Sequence, residues 1–188
     1  MLDRNTPLPT LGADIRALRK SRGITLSALA AKLDRSVGWI SQVERDISNP
    51  SFEDLQRIAA GLGVPLSLLF GEAEAPAEER GFVVRNHARR QIGASDGLSE
   101  ALLSPDLTDD FEVVHSTFAP GAELATPVSR PTQELAYLIS GHLSFWINET
   151  QFDLAPGDSI RIRGEAYRWA NRHAVPAIAI WVIAPPVY

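Results

Sequence analysis

Apolar residues recur at helical spacing along the first 70 residues of the chain. In five short stretches they fall three or four positions apart, which places them on one face of an α-helix. The predicted inward-facing residues are Leu11, Ile15 and Leu18; Leu26, Leu29, Ala30 and Leu33; Val37, Ile40 and Val43; Phe52, Leu55, Ile58, Ala59 and Leu62; and Leu66, Leu69 and Phe70. Four stretches follow good N-terminal capping residues, namely Thr10, Thr25, Ser36 and Ser51. Gly23 lies where the first helix should end.

The second half of the chain has a β-type pattern. Short segments rich in Val, Ile, Trp and Phe alternate with turn signals such as Pro-Gly and Ser-Gly. Strands are predicted at 111–118, 134–140, 143–148, 158–163 and 177–183. Strand alternation places Glu134, Ala136 and Leu138 on one face and Tyr137 on the other. Several short strands with no helical pattern between them indicate an all-β barrel or sandwich.

These patterns predict a multidomain α + β chain. We expect a five-helix bundle at 8–70, a linker and inter-domain segment at 71–107, and an antiparallel β-barrel at 108–186. The segment GEAEAPAEER, residues 71–80, is acidic and alanine-rich and contains one Pro, as is common in linkers.

Composition and charge narrow the possible functions. The absence of Cys excludes disulfides, thiolate metal sites and a cysteine nucleophile. There is neither a secretory signal pattern nor an apolar run of the ~18 residues that a membrane helix needs, so we expect a cytoplasmic protein that does not bind membranes. Residues 1–70 carry nine Lys or Arg and seven Asp or Glu (net +2), whereas residues 71–188 carry nine and sixteen (net −7). We therefore expect the acidic half to face away from any nucleic acid.

The second and third predicted helices form a helix-turn-helix pair. They are expected at about 25–33 and 36–44, joined by a turn in which Asp34 takes the left-handed conformation. The run that ends WISQVERDISNPSFEDLQRIAAGLGVPLSLLF closely resembles the Xre and phage-repressor family. The resemblance implies a sequence-specific transcriptional regulator that binds double-stranded DNA as a homodimer.

The same resemblance implies which residues contact DNA. Base contacts map onto Ser36, Val37, Gly38, Ser41 and Gln42, and phosphate contacts map onto Thr25, Arg45 and Asn49. From the helical pattern alone, Val37 is predicted on the buried edge of the third helix, with Ile40 and Val43. Glu44 is expected to form a structural hydrogen bond or ion pair, and Trp39 either packs at the rim of the helix or touches DNA.

Residues 108–186 resemble the cupin family, a double-stranded β-helix or jelly roll. The resemblance is carried by Gly121 to Gly141, with Glu134 between them, and by Gly157 to Asn171. Metal-binding cupins use two His and a Glu in the first motif and a His in the second. Here the first-motif His positions hold Pro127 and Ser129, and the second-motif position holds Tyr167, or Arg168 if the loop is aligned differently. We therefore expect neither a metal nor another cofactor and no metal-dependent catalysis. None of the four His has ligand spacing to another His or to Glu134.

A cupin barrel is expected to enclose a pocket for a small-molecule effector. The candidate pocket residues are His115, Arg130, Glu134, Ala136, Leu138, Arg161, Arg163, Tyr167, Trp169 and Trp181. An unpaired Glu134 would favour an amine-bearing ligand, whereas an inward-pointing Arg130, Arg161 or Arg163 would favour a carboxylate. Because this set contains several Arg and one Glu, we expect a ligand that bears a carboxylate. Two alternatives remain. One is a metal-dependent cupin enzyme similar to hydroxypropylphosphonate epoxidase, and the other is a constitutive DNA-binding protein whose barrel only dimerises.

Overall fold

A computed structural model of the chain describes residues 10–69, 76, 78–79, 81–95 and 97–187. The described residues divide into two compact units. The helical unit comprises the residues up to Arg90 together with Ser104–Asp109. The β unit comprises Gln91–Leu103 and Asp110–Val187. Phe70 and most of the predicted linker 71–80 lie outside the described residues.

Four helices and one isolated turn make up the secondary structure of the helical unit. They are α1 (Leu11–Ser21), α2 (Leu26–Leu33), α3 (Val37–Val43), α4 (Phe52–Leu62) and the single turn α5 (Leu66–Leu69), followed by a 3₁₀ turn at Asn86–Ala88. The predicted caps are confirmed, because the side chains of Thr10, Thr25, Ser36 and Ser51 each accept a hydrogen bond from the backbone N–H three residues on. The prediction of five helices is wrong for the fifth. Its three apolar positions span too few residues to offset the cost of helix nucleation beyond one turn.

The core of the helical unit joins all four helices. Ile15, Leu29, Ile40 and Ile58 are fully buried. Gly12 permits a close approach of α1 to the end of α3, since a Cβ there would lie 2.3 Å from the carbonyl oxygen of Val43. The core therefore fixes α3 against α1 as well as against α2.

Two pieces of the predicted inter-domain segment pack within the helical unit. Arg90 donates to Asp14 of α1 across 2.7 Å, and both side chains are buried. The backbone N–H of Leu107, also buried, donates to the other oxygen of Asp14 at 3.0 Å. Burial raises the pKa of the Asp14 carboxyl, while the charge of Arg90 and these hydrogen bonds oppose the shift. One buried carboxylate thus holds two separate chain segments.

The β unit is a sandwich of two antiparallel sheets. Its strands are β1 (Gln91–Ser95), β2 (Leu98–Leu102), β3 (Glu112–Phe118), β4 (Glu123–Val128), β5 (Gln133–Ser140), β6 (Leu143–Ile147), β7 (Thr150–Leu154), β8 (Ser159–Ile162), β9 (Tyr167–Ala170) and β10 (Ala177–Ala184). One sheet has the order β1-β2-β3-β10-β5-β8 and the other β4-β9-β6-β7. The five predicted strands match β3, β5, β6, β8 and β10.

The prediction of a barrel needs correction, because in the described residues the two sheets are not joined edge to edge by a strand ladder. A closed barrel requires such a ladder between its edge strands. Strands β1 and β2 lie before residue 108, inside the predicted inter-domain segment, and their sequences QIGAS and LSEAL contain few β-branched or aromatic residues. The core lies between the sheets and contains Phe118, Leu138, Phe145 and Trp181. Within the described residues no helix is long and apolar enough to cross a bilayer.

Candidate nucleic-acid interface and interior pocket

The turn between α2 and α3 has the conformation that the sequence predicted. Asp34 caps α2 with φ 51° and ψ 47°, in the left-handed region. The hydroxyl of Ser36 then accepts from the N–H of Trp39 at 3.1 Å and starts α3. Ala30, Ile40 and Val43 are buried between the packed helices. This local geometry leaves the opposite edge of α3 facing solvent.

Most of the predicted DNA contacts lie on that exposed edge or close to it in sequence. Thr25, Ser36, Val37, Gly38, Gln42, Arg45 and Asn49 are exposed, and Ser41 is half-buried. The placement of Val37 on the buried edge is wrong, because its side chain is 46% exposed. At the first position of a short helix, the helical period alone does not decide burial. A Cβ at Gly38 would meet no atom closer than 3.9 Å, so packing inside the chain does not require this glycine.

Buried and half-buried charges support α3 from behind. Glu44 forms a bidentate ion pair with Arg19 of α1, with N–O distances of 2.5 and 2.8 Å. This confirms its predicted structural role. The guanidinium of Arg45 donates to the carbonyl of Ser41 at 3.0 Å, which holds it along the exposed edge. Trp39 is half-buried, with the guanidinium of Arg35 5.1 Å from its ring centroid.

A cavity of about 280 Å³, partly open to solvent, lies between the two sheets of the β unit. Five predicted pocket residues line it: Arg130, Glu134, Tyr167, Trp169 and Trp181. The remaining lining residues are Leu98, Glu100, Phe118, Glu123, Leu124, Val128 and Ile183. The walls are therefore largely aromatic and aliphatic, with a small set of charged groups.

Glu134 is the most enclosed charged group of the cavity, at 2% exposure. Its carboxylate accepts from the hydroxyl of Thr132 at 2.7 Å and from the phenol of Tyr167 at 3.3 Å. Burial raises the pKa of the Tyr167 phenol above its usual value, so this group stays neutral and acts as a donor. Within the described part of the chain, Glu134 forms no ion pair.

Five predicted pocket residues do not line the cavity. Ala136 and Leu138 face inward, as predicted, but lie in the packed core. Arg161 and Arg163 are exposed, because on β8 it is Ile160 and Ile162 that face inward. His115 lies on the opposite face of β3 from the buried Val114 and Ser116. Alternation along the strand decides each of these positions.

The cavity contains carboxylates that the sequence analysis missed. Glu100 of β2 accepts from the hydroxyl of Ser116 at 2.7 Å and lines the cavity with Glu123. Glu112 of β3 is 2% exposed and faces inward on its strand, but it is not among the residues that line the cavity. Alternation in FEVVHSTF could have identified Glu112 as inward-facing, whereas Glu100 lies in a segment that was not predicted to be a strand.

Desolvation is the largest influence on Glu112. It raises the pKa of this carboxyl to about 7, although a hydrogen bond from the N–H of Val187 and the charge of Arg130 oppose the shift. The charges of Glu100 and Glu134 raise the pKa further. One carboxyl oxygen of Glu112 is buried without a hydrogen-bond partner among the described residues.

The residues at the metal position of the cupin fold do not fit a metal. In place of a second-motif imidazole stands the neutral Tyr167 phenol, which is already bonded to Glu134. No group of three or more His, Asp or Glu in the described chain is arranged to hold an ion.

Elsewhere in the β unit, the ring centroids of His142 and His173 lie 5.0 Å apart, beside Asp153, although the two histidines are 31 residues apart in the chain. Sequence spacing gave no sign of this pair.

Comparison with known proteins matches both halves of the chain to families. A helix-turn-helix family model, HTH_3, matches residues 15–69, and a cupin domain model, Cupin_2, matches residues 114–183. The immunity repressor protein of Bacillus phage phi105 is 34% identical over 100 residues, covering 48% of this chain and 69% of the repressor. Transcriptional regulator ClgR of Mycobacterium tuberculosis (strain ATCC 25618 / H37Rv) is 31% identical over 97 residues, covering 50% of this chain and 87% of ClgR.

A solved structure supports the architecture of the β unit. KdgF from Halomonas sp. superposes with a TM-score of 0.50 at 18% identity, covering 57% of this chain and 96% of KdgF, which shows a shared fold alone. Together, the exposed α3, the cupin sandwich and the named relatives define a DNA-binding transcriptional regulator with a cupin domain. The chain belongs to the HTH_3 helix-turn-helix family, which confirms the resemblance to Xre and phage-repressor proteins.

Proposed function

We propose that this regulator binds a small-molecule effector in its cupin domain without a metal, and that it acts as a cytoplasmic homodimer that catalyses no reaction. The observation that carries the proposal is the cavity, with aromatic walls and the Glu134 carboxylate bonded to a neutral phenol. Apolar cavities with a few convergent polar groups are the usual sites for small ligands. A ligand that binds two states of the regulator with different affinity changes DNA binding by linkage.

The DNA contacts follow from the exposed edge of α3 and its surroundings. We assign base reading to Ser36, Val37, Gly38, Ser41 and Gln42, and phosphate binding to Thr25, Arg45 and Asn49. Gln42 is exposed and carries an amide able to pair with adenine in the major groove. Arg45 contributes a charge that is sequence-independent.

Substitutions at these two positions test the assignment. Gln42→Ala should weaken binding to the operator by about 1–3 kcal/mol and leave binding to random duplex unchanged. Arg45→Ala should weaken binding to both duplexes and reduce the slope of log affinity against log salt by about one. Fluorescence anisotropy over a salt series measures both. Equal losses on operator and random duplex for Gln42→Ala would contradict its role in reading sequence.

Metal analysis and native mass spectrometry of the full chain test the cavity. We expect substoichiometric Fe, Mn, Ni, Cu and Zn, a melting temperature unchanged by chelators, and a small organic molecule released on denaturation. One tightly bound metal per chain, removed by chelators with loss of stability, would contradict the metal-free site and favour a metal-dependent enzyme.

A constitutive DNA-binding protein with a purely dimerising cupin domain is favoured by one observation. The outer face of the six-stranded sheet exposes Leu135, Tyr137, Ile139 and Val182, with Tyr137 50% exposed. Contiguous exposed apolar side chains are common at protein interfaces. Tyr137→Glu should then yield a monomer in analytical ultracentrifugation. If the full chain binds no small molecule and responds to none, dimerisation is the function of the domain.

A further inference from the structure

The charge of the cavity has the opposite sign from that expected of the predicted pocket. Three carboxylates line it, those of Glu100, Glu123 and Glu134, against the single guanidinium of Arg130. Arg161 and Arg163, which favoured a carboxylate ligand in the sequence analysis, are exposed and do not contribute to the lining. The composition of the wall therefore favours a cation.

Burial strengthens this bias. Glu134 is almost fully buried, and within the described chain its partners are two neutral hydroxyl groups and no cation. Arg130 is exposed, so water and salt screen its charge more than they screen that of Glu134. Burying an ionised carboxylate without a counter-charge is costly. A ligand cation beside Glu134 would offset that cost.

Glu112 adds a second, independent indication. It lies in a row with Ile183 and Glu134 across three neighbouring strands, because Ile183 of β10 pairs with Glu112 on one side and with Glu134 on the other. Ile183 itself lines the cavity. The fully buried oxygen of Glu112 that has no hydrogen-bond partner among the described residues thus lies on the same inward face of the sheet, next to the part of the cavity wall that Ile183 forms.

The walls suit an organic cation better than a metal ion. Tyr167, Trp169 and Trp181 line the cavity, and Tyr167 and Trp181 stack with their ring centroids 6.3 Å apart. Aromatic rings attract ammonium groups, whereas hard metal ions require several oxygen ligands. A volume of about 280 Å³ lies near the lower end of the range for ligand pockets, roughly 300–1,000 Å³, which suits a small metabolite.

We propose that the effector of this regulator is a small organic ammonium ion that binds in this cavity. Its nitrogen pairs with the carboxylate of Glu134, the charge of Glu100 adds to the attraction, and its apolar part contacts Trp169 and Trp181. This inference rests on the effector function proposed above and specifies the chemical class of the ligand.

Matched probes of opposite charge test the proposal on the full chain. n-Butylamine and choline are compared with n-butyrate and succinate by isothermal titration calorimetry, with tryptophan fluorescence as a second readout. We expect saturable binding of at least one of the two ammonium ions, n-butylammonium or choline, and of neither carboxylate. Glu134→Gln should weaken amine binding by about tenfold or more, as expected when one partner of a buried charge pair is removed. Glu100→Gln should weaken it by a smaller factor, because Glu100 is half-buried.

Glu149→Gln is the matched control, because Glu149 is exposed in the turn between β6 and β7 and should leave amine affinity unchanged. If Glu134→Gln does not fold, Glu100→Gln carries the test, since its target is only half-buried. Binding of a carboxylate but no amine would overturn the ammonium inference and leave the effector pocket intact. Failure of all four probes would also overturn it. Native mass spectrometry, which looks for a copurified small molecule, tests the proposed effector function separately.

Discussion

Replacing Glu112 with Gln should stabilise the cupin domain above pH 7 and have no effect near pH 4. Gln has the shape of the protonated acid and cannot ionise. In the folded domain the pKa of Glu112 is raised to about 7, whereas the ordinary value is 4.5. Between these values the unfolded chain has lost a proton that the folded chain keeps, so the stability of the natural protein falls as the pH rises from about 4.5 to 7.

The magnitude follows from the size of the shift. Each unit of pKa difference is worth about 1.4 kcal/mol, so the full effect above pH 7 is on the order of 3 kcal/mol. Desolvation causes most of the shift, and the nearby charges are those of Arg130, Glu100 and Glu134. One oxygen of Glu112 has a hydrogen bond from the N–H of Val187, at 3.2 Å, and in the described chain the other has none.

Calorimetric melting of the full chain at pH 5 and pH 8 measures the effect. A change of 1 kcal/mol shifts the melting temperature of a domain this size by roughly 4–8 °C, so the cupin transition of Glu112→Gln should rise by about 10 °C or more at pH 8 and by much less at pH 5. Glu149→Gln should change neither. An equal gain at both pH values, or none at pH 8, would refute the assignment of a raised pKa to Glu112.

Two further predictions concern the helical domain. Glu44→Ala leaves the buried Arg19 without its carboxylate partner and should lower the free energy of unfolding in urea by about 3–5 kcal/mol. Glu53→Ala removes an exposed ion pair and should lower it by about 0.5 kcal/mol or less. Similar losses of unfolding free energy for Glu44→Ala and Glu53→Ala would show that burial of the Arg19–Glu44 pair is unimportant. Gly38→Ala should stabilise the domain by about 1 kcal/mol, since a Cβ there meets no atom closer than 3.9 Å, yet weaken operator binding in a gel-shift titration. Unchanged affinity would show that DNA does not approach this position closely.

Local chemistry made much of the helical domain predictable from sequence. Helix starts depend on a side chain that caps a backbone N–H three residues away, and Thr25, Ser36 and Ser51 all do so. The left-handed turn at Asp34 is likewise a property of one residue and its neighbours. Along β5, the two-residue period of a strand places Glu134, Ala136 and Leu138 on one face, and the cupin resemblance correctly implied that this face points inward. Contacts within a few residues determine all of these features.

Only the tertiary structure decided which charged groups meet in the cavity and beside it. Glu100 and Glu134 line the cavity, Glu112 lies on the same inward face, and the pairing of their three strands brings these carboxylates together. Arg161 and Arg163 are close to Glu134 through pairing with β5, yet alternation turns them outward.

Packing between distant parts of the chain also explains two other contacts that the sequence did not predict. Asp14 holds Arg90 and Leu107, and His142 meets His173, through contacts between residues far apart in the chain. Sequence patterns report periodicity along one element. These patterns do not specify which elements become neighbours, because strand pairing and sheet packing depend on burial summed over the whole domain. The sequence, through its local patterns and its family resemblance, therefore determined the class of the protein and the inward face of β5. The packing of the strands decided the sign of the charge in the pocket.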